Sequence, residues 1–514
     1  MKPKGAVYLV GAGPGDAGLL TVRGAELLGR AEVVVYDALV NPELLKLAPK
    51  SAEIIYGGKR AREHSIPQNE LNQLLIAKAR EGKRVIRLKG GDPYVFGRGA
   101  EEAEQLADAN VLFEVVPGVS SFVAVPNYAG VPLTHRDFCS KLTLITGHED
   151  PAKEASSIDW VQVAKTPGTK VIMMGTDRIG QIAEILANNG MPRETPIAMV
   201  RWGTTGRQQS IAGTLDNIAE IATRKKIGPP TVAVIGEVVK LREKLNWFEQ
   251  KPLFGQRVVV TRARGHAASQ LARQFSELGA EVLEIPTIKI EPPSSREDFV
   301  DALLELNSYD WLVFTSPNGV SIFFEYFFRQ FHDLRDIGGA RIAAVGPATA
   351  NKLKELHLQV DLMPDEAVGV EIAEEFAQYE SIENLRICLL RAEVANPDLP
   401  KALEALGAIV DDIACYKTVA ETDDRDGAAA RLLDEGADWI TFTSASTVKN
   451  FHARFDLPAL LKKFSVTKLA SIGPETSKAL KSLGLVPAIE AKEHTMEGLV
   501  QSLVSATSPK VEKT

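Results

Sequence analysis

Val85-Ile-Arg-Leu-Lys-Gly-Gly-Asp-Pro-Tyr-Val-Phe-Gly-Arg-Gly99 begins as a strand and ends as a turn built for close approach. Val85 to Leu88 is short, apolar and β-branched, between a helical segment and a glycine pair, which predicts a buried parallel strand. Gly90 and Gly91 let the backbone bend sharply and approach a ligand, and Asp92 leaves a carboxylate at the strand's carboxyl end. In open α/β sheets that edge is where ligands sit. The chain as far as about Val239 is expected to close over this loop.

Upstream, Ala6–Val10 reads as a strand and Gly11-Ala-Gly-Pro-Gly-Asp16 as a turn. Leu19–Leu28 reads as a helix with Asp16 in its N-cap region, and Glu32–Tyr36 as a second strand ending on Asp37. A β-α-β unit with an acid after its second strand raises the dinucleotide-binding fingerprint. That fingerprint fails in detail. Its third glycine falls at Asp16, and Pro14 removes a backbone N–H needed to cradle phosphate.

Downstream come the strand-and-glycine edge Ile54-Ile-Tyr-Gly-Gly-Lys-Arg60, a helix over Asn69–Arg80 and, beyond the central strand, a helix over Ala100–Ala107. Phe113-Glu-Val-Val-Pro-Gly118 is a strand ending in a turn, and Ser120-Ser121 open a small-residue segment to Gly130. Val131–Arg136 reads as a crossover into a second α/β lobe, with strands near Leu142–Ile145, Lys170–Met174, Ile197–Val200 and Thr231–Ile235. Glu243–Gln256, with Trp247, Phe248 and Pro252, reads as a linker.

After Gly255 the pattern restarts with Arg257-Val-Val-Val-Thr-Arg262 and a helix over Ala267–Leu278. This half is internally duplicated. Asp310-Trp-Leu-Val-Phe-Thr-Ser316 matches Asp438-Trp-Ile-Thr-Phe-Thr-Ser444, an offset of 128 residues. Ala344-Val-Gly-Pro-Ala-Thr349 matches Ser471-Ile-Gly-Pro-Glu-Thr476 at an offset of 127, and Arg257–Pro286 resembles Arg386–Tyr416. Two similar lobes imply a bilobed body with a cleft between them.

Composition narrows the function classes. The 514 residues are 45% hydrophobic and 25% charged, as in an ordinary globular protein of about three or four domains. A net charge of −8 leaves no basic excess for a general nucleic-acid binder. Met1-Lys-Pro-Lys runs straight into a short apolar strand, too short for a signal core or a membrane span. Three scattered cysteines make no disulfide framework, and eight scattered histidines make no metal site. A cytoplasmic protein without a metal, nucleic-acid partner or membrane partner is the expectation.

The first half resembles uroporphyrinogen-III C-methyltransferase of the tetrapyrrole methylase family over essentially its whole length. The resemblance is carried by Val10-Gly-Ala-Gly-Pro-Gly-Asp-Ala-Gly-Leu-Leu-Thr21, Val34-Val-Tyr-Asp37, Gly57-Gly-Lys-Arg60, Arg87-Leu-Lys-Gly-Gly-Asp-Pro93 with Phe96-Gly-Arg98, Pro132-Leu-Thr-His-Arg136 and Leu245-Asn-Trp-Phe248. The second half is similar to uroporphyrinogen-III synthase, on its duplicated motifs and Ala414-Cys-Tyr-Lys-Thr418. The resemblance implies an α/β chain: a tetrapyrrole methylase fold of two α/β lobes, followed by a bilobed, internally duplicated α/β synthase fold. The methyltransferase is placed at 1–245 (lobes about 1–132 and 133–245) and the linker at 246–256. The synthase is placed at 257–508, with one lobe from 257–288 plus 418–508 and the other from 289–417.

For the first half the resemblance implies S-adenosylmethionine, held by Pro14, Gly90, Gly91, Asp92, Val95, Ser120, Ser121, Met174 and Gly203. Ser120-Ser121 depart from the family's usual Thr-Ala but remain small and keep a hydroxyl. Asp37 is the implied proton acceptor and Lys59 the implied donor. On the residues alone, Asp37 also suits a turn or helix-capping acid, and Lys59 a point charge for a substrate carboxylate. Arg60, Arg98 and Arg136 are candidates for the substrate's carboxylates, while Arg62 reads better as a solvated surface cation. A homodimer through this half is also implied.

For the second half the resemblance implies closure of hydroxymethylbilane with inversion of the last ring, and no metal or organic cofactor. Tyr416 matches the family tyrosine that assists departure of the hydroxyl, and a packed hinge residue is its other reading. Thr315, Ser316, Thr349, Ser444 and Thr476, at strand ends or glycine turns, suit carboxylate binding. Two consecutive enzymes in one chain are the expectation, producing uroporphyrinogen III and then, by methylation at C2 and C7, precorrin-2. The competing readings are a methyltransferase carrying a non-catalytic tetrapyrrole-binding module, and a methylase acting at another ring carbon. No dehydrogenase or ferrochelatase module is visible, and the sequence leaves open whether the product serves sirohaem or cobalamin.

Overall fold

The computed structural model describes residues 5–58, 67–148, 157–262, 266–364, 371–424 and 426–507. Four five-stranded sheets organise them. The first is parallel, in the order β3-β2-β4-β1-β5, from β1 (Ala6–Gly11), β2 (Val33–Tyr36), β3 (Glu53–Tyr56), β4 (Arg84–Lys89) and β5 (Leu112–Val116). The strand that opens the motif is therefore the central one, with Val85, Ile86 and Leu88 fully buried. A β-branched strand covered by helices on both faces has no solvent side to serve, so its run is nearly continuous in apolar residues.

The second sheet, β6-β7-β10-β8-β9, is mixed. It comprises β6 (Leu142–Thr146), β7 (Thr169–Met173), β8 (Pro196–Arg201), β9 (Gln209–Thr214) and β10 (Thr231–Ile235), with β10 antiparallel to both neighbours. β9 was not expected. It is a polar edge strand, Gln-Ser-Ile-Ala-Gly-Thr, that pairs only with β8 and so carries little apolar signature.

The second half follows with β11 (Arg257–Val260), β12 (Glu281–Glu284), β13 (Ile288–Glu291), β14 (Trp311–Phe314), β15 (Arg341–Ala344), β16 (Arg386–Ala392), β17 (Ile409–Ala420), β18 (Trp439–Phe442), β19 (Lys468–Ser471) and β20 (Ile489–Glu490). They form one sheet ordered β12-β11-β18-β19-β20 and another ordered β13-β17-β16-β14-β15. The chain leaves the first of these after β12 and returns to it through β17, whose carboxyl half pairs antiparallel with β13. The duplicated Trp-Leu-Val-Phe and Trp-Ile-Thr-Phe strands, β14 and β18, are buried in their respective sheets.

Two local expectations are corrected. Leu19 and Leu20 lie outside the first α-helix, which runs Val22–Leu28. Thr21 caps it through the Gly24 amide, while Asp16 caps a separate 3-10 turn, Ala17–Leu19. A threonine nearer the helix thus supersedes the aspartate. The helix expected to reach Leu278 ends at Glu277, with Gly279 in the left-handed region behind it.

The tract 246–256 is pinned rather than trailing. Glu249 accepts from Arg242 (2.5 Å), Asn246 (3.1 Å), Gln208 (2.8 Å) and Ser210 (2.5 Å). Phe248 and Leu253 are buried, and the Gly255 amide donates to the Gly206 carbonyl at 3.0 Å. Gly206 lies directly on the backbone of Ala280 and Glu281, so any side chain there would strike main-chain atoms. Among the described residues no helix is long and apolar enough to cross a membrane. Gly206→Ala is expected to cost about 1–3 kcal/mol through this backbone collision. Thermal unfolding should then lose cooperativity between the halves; a single unshifted transition would show the contact to be slack.

Candidate active sites

Three strand ends of the first sheet converge through glycines. Gly11 at the end of β1 and Gly118 after β5 pack on the Gly91 carbonyl, and no Cβ fits at either position. Gly91 has φ of +68° and exchanges hydrogen bonds with Gly13, donating at 2.7 Å and accepting at 3.2 Å. Asp92 spans the junction, with one carboxylate oxygen on the Tyr94 amide (2.8 Å) and the other on the Gly118 amide (3.0 Å). Its carboxylate is thus used to close the loop, which leaves Gly90 and Gly91 as the main chain that a ligand can approach.

Other expected cofactor residues gather here. Ser120, buried, precedes the helix Ser121–Tyr128, and the pair lies beside Gly91. The Pro14–Asp16 turn reaches the second lobe, since the Asp16 amide donates to the Thr204 hydroxyl at 3.0 Å and Gly15 sits under Gly203 to Thr205. Gly203 faces Val125 of the same helix and has no room for a side chain. Tyr128 closes the group by donating to Asp16 at 2.8 Å, and burial with that carboxylate pushes its phenol pKa up. Val95 is tied to the loop by its amide on the Asp92 carbonyl at 3.4 Å. Met174 lies on the second lobe after β7, half-exposed, with a left-handed backbone (φ +56°).

Asp37 follows β2, and its Oδ1 accepts from Arg87 Nη2 at 2.6 Å. Behind it lies a charge cluster that the motif reading missed. Glu102, on the helix Gly99–Asp108, accepts at one oxygen from Arg87 (3.2 Å), Lys89 (2.9 Å) and Gln68 (3.0 Å). The Arg87, Lys89 and Glu102 side chains are almost wholly buried, whereas Asp37 is 31% exposed and is the member that meets solvent. Burial and the neighbouring Arg87 lower the Lys89 pKa, against the raising effect of Glu102. The signal was present in the sequence: Arg87 and Lys89, two apart in an otherwise apolar strand, share a face and need an anion.

The expected substrate cations are dispersed. Arg98, left-handed at φ +58°, is bidentate to Glu101 (2.6 and 3.0 Å), and Arg136 is exposed in the turn closed by His135 and Cys139. Lys59, Arg60 and Arg62 lie outside the described residues.

In the second half, Ser316 and Tyr416 meet at 2.9 Å between hydroxyl oxygens. Ser316 caps the helix Pro317–Gln330 and takes the Gly319 amide at 3.0 Å. Tyr416 is 6% exposed on β17, its phenol pKa raised by burial and partly relieved by Ser316 and Asn318. Thr315 holds the Leu390 carbonyl with its amide (3.3 Å) and hydroxyl (3.4 Å). Ser444, in the other lobe, is committed to a capping box with Thr447. Thr349 and Thr476 are buried in first helical turns and offer no open hydroxyl. Among the described residues no hydrogen bond links Ser444 or Thr476 to Ser316 or Tyr416.

Comparison with known proteins matches both halves. The family of Tetrapyrrole (Corrin/Porphyrin) Methylases matches residues 6–219, and Uroporphyrinogen-III synthase HemD matches residues 269–501. A porphyrin biosynthesis protein HemD of Ruminiclostridium josui is 39% identical over 97% of this chain and 98% of its own. An S-adenosyl-L-methionine-dependent uroporphyrinogen III methyltransferase of Methanosarcina barkeri is 52% identical over 47% of this chain and 94% of its own. A solved uroporphyrin-III C-methyl transferase from Thermus thermophilus, complexed with S-adenyl homocysteine, is 39% identical over 46% of this chain and 100% of its own, with a TM-score of 0.40. The chain belongs to the family in which a tetrapyrrole methylase is joined to a uroporphyrinogen-III synthase.

Arg87→Met would strand Asp37 and weaken the support of fully buried Glu102. A loss of about 3–5 kcal/mol is expected, as for other broken buried pairs, and urea unfolding measures it. A loss under about 1 kcal/mol would mean that water reaches the cluster.

Proposed function

We propose that this chain carries out two consecutive steps of tetrapyrrole synthesis. Its second half closes hydroxymethylbilane to uroporphyrinogen III with inversion of the last ring. Its first half then methylates that product at C2 and C7, with S-adenosylmethionine, to precorrin-2. The observation that carries this reading is the 39% identity to a porphyrin biosynthesis protein along both halves at once.

The glycine junction suits S-adenosylmethionine: Gly91 has room where a side chain would stand, Gly11 and Gly118 hold the strand ends together behind it, and the Ser121–Tyr128 helix begins beside it. When bound, that cofactor supplies an electrophilic methyl group on a sulfonium. The protein's part is to bind the macrocycle against the junction and remove the proton the ring must lose. Asp37 takes this role, a reading supported by its part-exposed carboxylate with one oxygen fixed by Arg87. In the second half, the Tyr416 phenol is kept protonated by burial and is oriented by Ser316, so it can donate as the hydroxyl leaves as water.

The protein works in the cytoplasm as a homodimer through its first half, where Leu112 and Phe113 are exposed on the edge strand β5. Sedimentation should give twice the chain mass, and Phe113→Lys should shift it toward the monomer. Full-length protein given hydroxymethylbilane should yield type III uroporphyrinogen alone, and a doubly methylated product once S-adenosylmethionine is added. Type I material only would reduce the second half to a binding module. Asp37→Asn should abolish methylation while leaving type III formation intact.

A further inference from the structure

The duplication in the second half lets one lobe serve as a control for the other. In the second-half sheet containing β16 and β17, Leu389 lies opposite Asp412, and Arg391 stands two residues further along β16. In the sheet containing β11 and β12, Val260 lies opposite Glu284, and Arg262 stands two residues further along. The register is the same: Arg391 shares a face with Asp412 within its sheet, and Arg262 takes the equivalent place just past the end of β11.

The outcomes differ. Arg391 clamps Asp412 through both Nε (2.5 Å) and Nη2, a bidentate pair. Glu284 instead accepts from Lys46 of the methyltransferase half at 2.7 Å. Lys46 is also 3.9 Å from Asp426, and Glu43 stands close to the same charges, with its carboxyl pKa raised by burial, by Glu284 and by Asp426. Among the described residues Arg262 is left with no carboxylate, and its side chain hydrogen-bonds only to the Met496 sulfur at 3.9 Å. Burial lowers its pKa, and among the described residues no anion offsets this. An arginine half-withdrawn from water without a counter-charge is costly to leave so.

Arg262 also stands where a ligand would lie. It follows β11 at the carboxyl edge of its sheet, where β12 crosses through Thr287 to the other lobe and β17 returns, with the Glu421 amide on the Thr287 carbonyl at 3.0 Å.

We propose that Arg262 binds a carboxylate of the linear tetrapyrrole, and that Lys46 of the methyltransferase half keeps it available by drawing Glu284 away. This rests on the synthase reading above. The methyltransferase half thereby contributes to the neighbouring site through one lysine, without touching the substrate. The acid that would neutralise Arg262 is retained, and is spent on holding the two halves together.

The test is steady-state formation of type III uroporphyrinogen from hydroxymethylbilane by four full-length variants. Arg262→Gln should raise KM about tenfold or more, as expected for one lost charge-assisted contact, with kcat little changed. Arg262→Lys should recover part of it. Lys46→Met should raise KM several-fold as Glu284 turns to Arg262, and adding Glu284→Gln should return KM to the wild-type value. An unchanged KM in Arg262→Gln, or a Lys46→Met effect that Glu284→Gln does not reverse, overturns the proposal. Titration with uroporphyrin III, the stable oxidised macrocycle, reads binding without turnover. Weaker binding in Arg262→Gln and Lys46→Met supports the assignment, and equal binding in all variants overturns it. Were the wild type to form only the type I isomer, the synthase reading would fall while this titration still decided the role of Arg262.

Discussion

Main chain packed on main chain at Gly11, Gly91 and Gly118 is the constraint on which the methyltransferase half depends. Three strand ends meet there with no side chain between them. Asp92 then bridges two of the loops, the Ser121–Tyr128 helix starts alongside, and Val125 and Tyr128 of that helix reach the second lobe at Gly203 and the first at Asp16. A single methyl at Gly11 or Gly118 would separate elements that are otherwise far apart in sequence. The junction therefore fixes both the site and the relation of the lobes that enclose it.

Charge is handled in two ways. The chain is acidic overall, yet its buried cations Arg87 and Lys89 are matched within the protein by Glu102 and Asp37. A buried cluster of this kind, with Asp37 on its solvent side, holds one carboxylate in a fixed orientation. Arg98, by contrast, is neutralised on the surface by Glu101, where the pair is exposed and exchangeable. An exposed pair of that sort gives way to a polyanionic ligand more readily than a buried one.

The sheets were legible because their strands are short, apolar runs ended by glycine, as at Val85–Gly91, and because Trp311 and Trp439 repeat within matching motifs. What escaped were features set by partners distant in sequence. β9 is a strand only because β8 lies beside it. Glu102 reads as a surface acid on a helix until the fold places it over Arg87 and Lys89. Asp92, Ser316 and Ser444 were legible as polar groups at strand ends, but the two serines are taken up by the first turns of the helices they open, and Asp92 by the Gly118 amide that only the fold brings to it. Thr349 and Thr476 share the motif that singled them out, and their burial follows from the helix turn that the motif begins.

The two-stranded ribbon of β13 and β17 has a mechanical consequence. It is the described β-structure that joins the lobes of the second half, with Ile288–Glu291 against Lys417–Ala420. Tyr416 is the residue immediately before the ribbon, where β17 is still clamped to β16 and the phenol to Ser316. A ladder anchored at one end passes any torque applied at its free end to that anchor. Rotation of one lobe against the other would be transmitted to the Tyr416 ring as torque, and a substrate that draws the lobes together would re-aim the phenol by doing so.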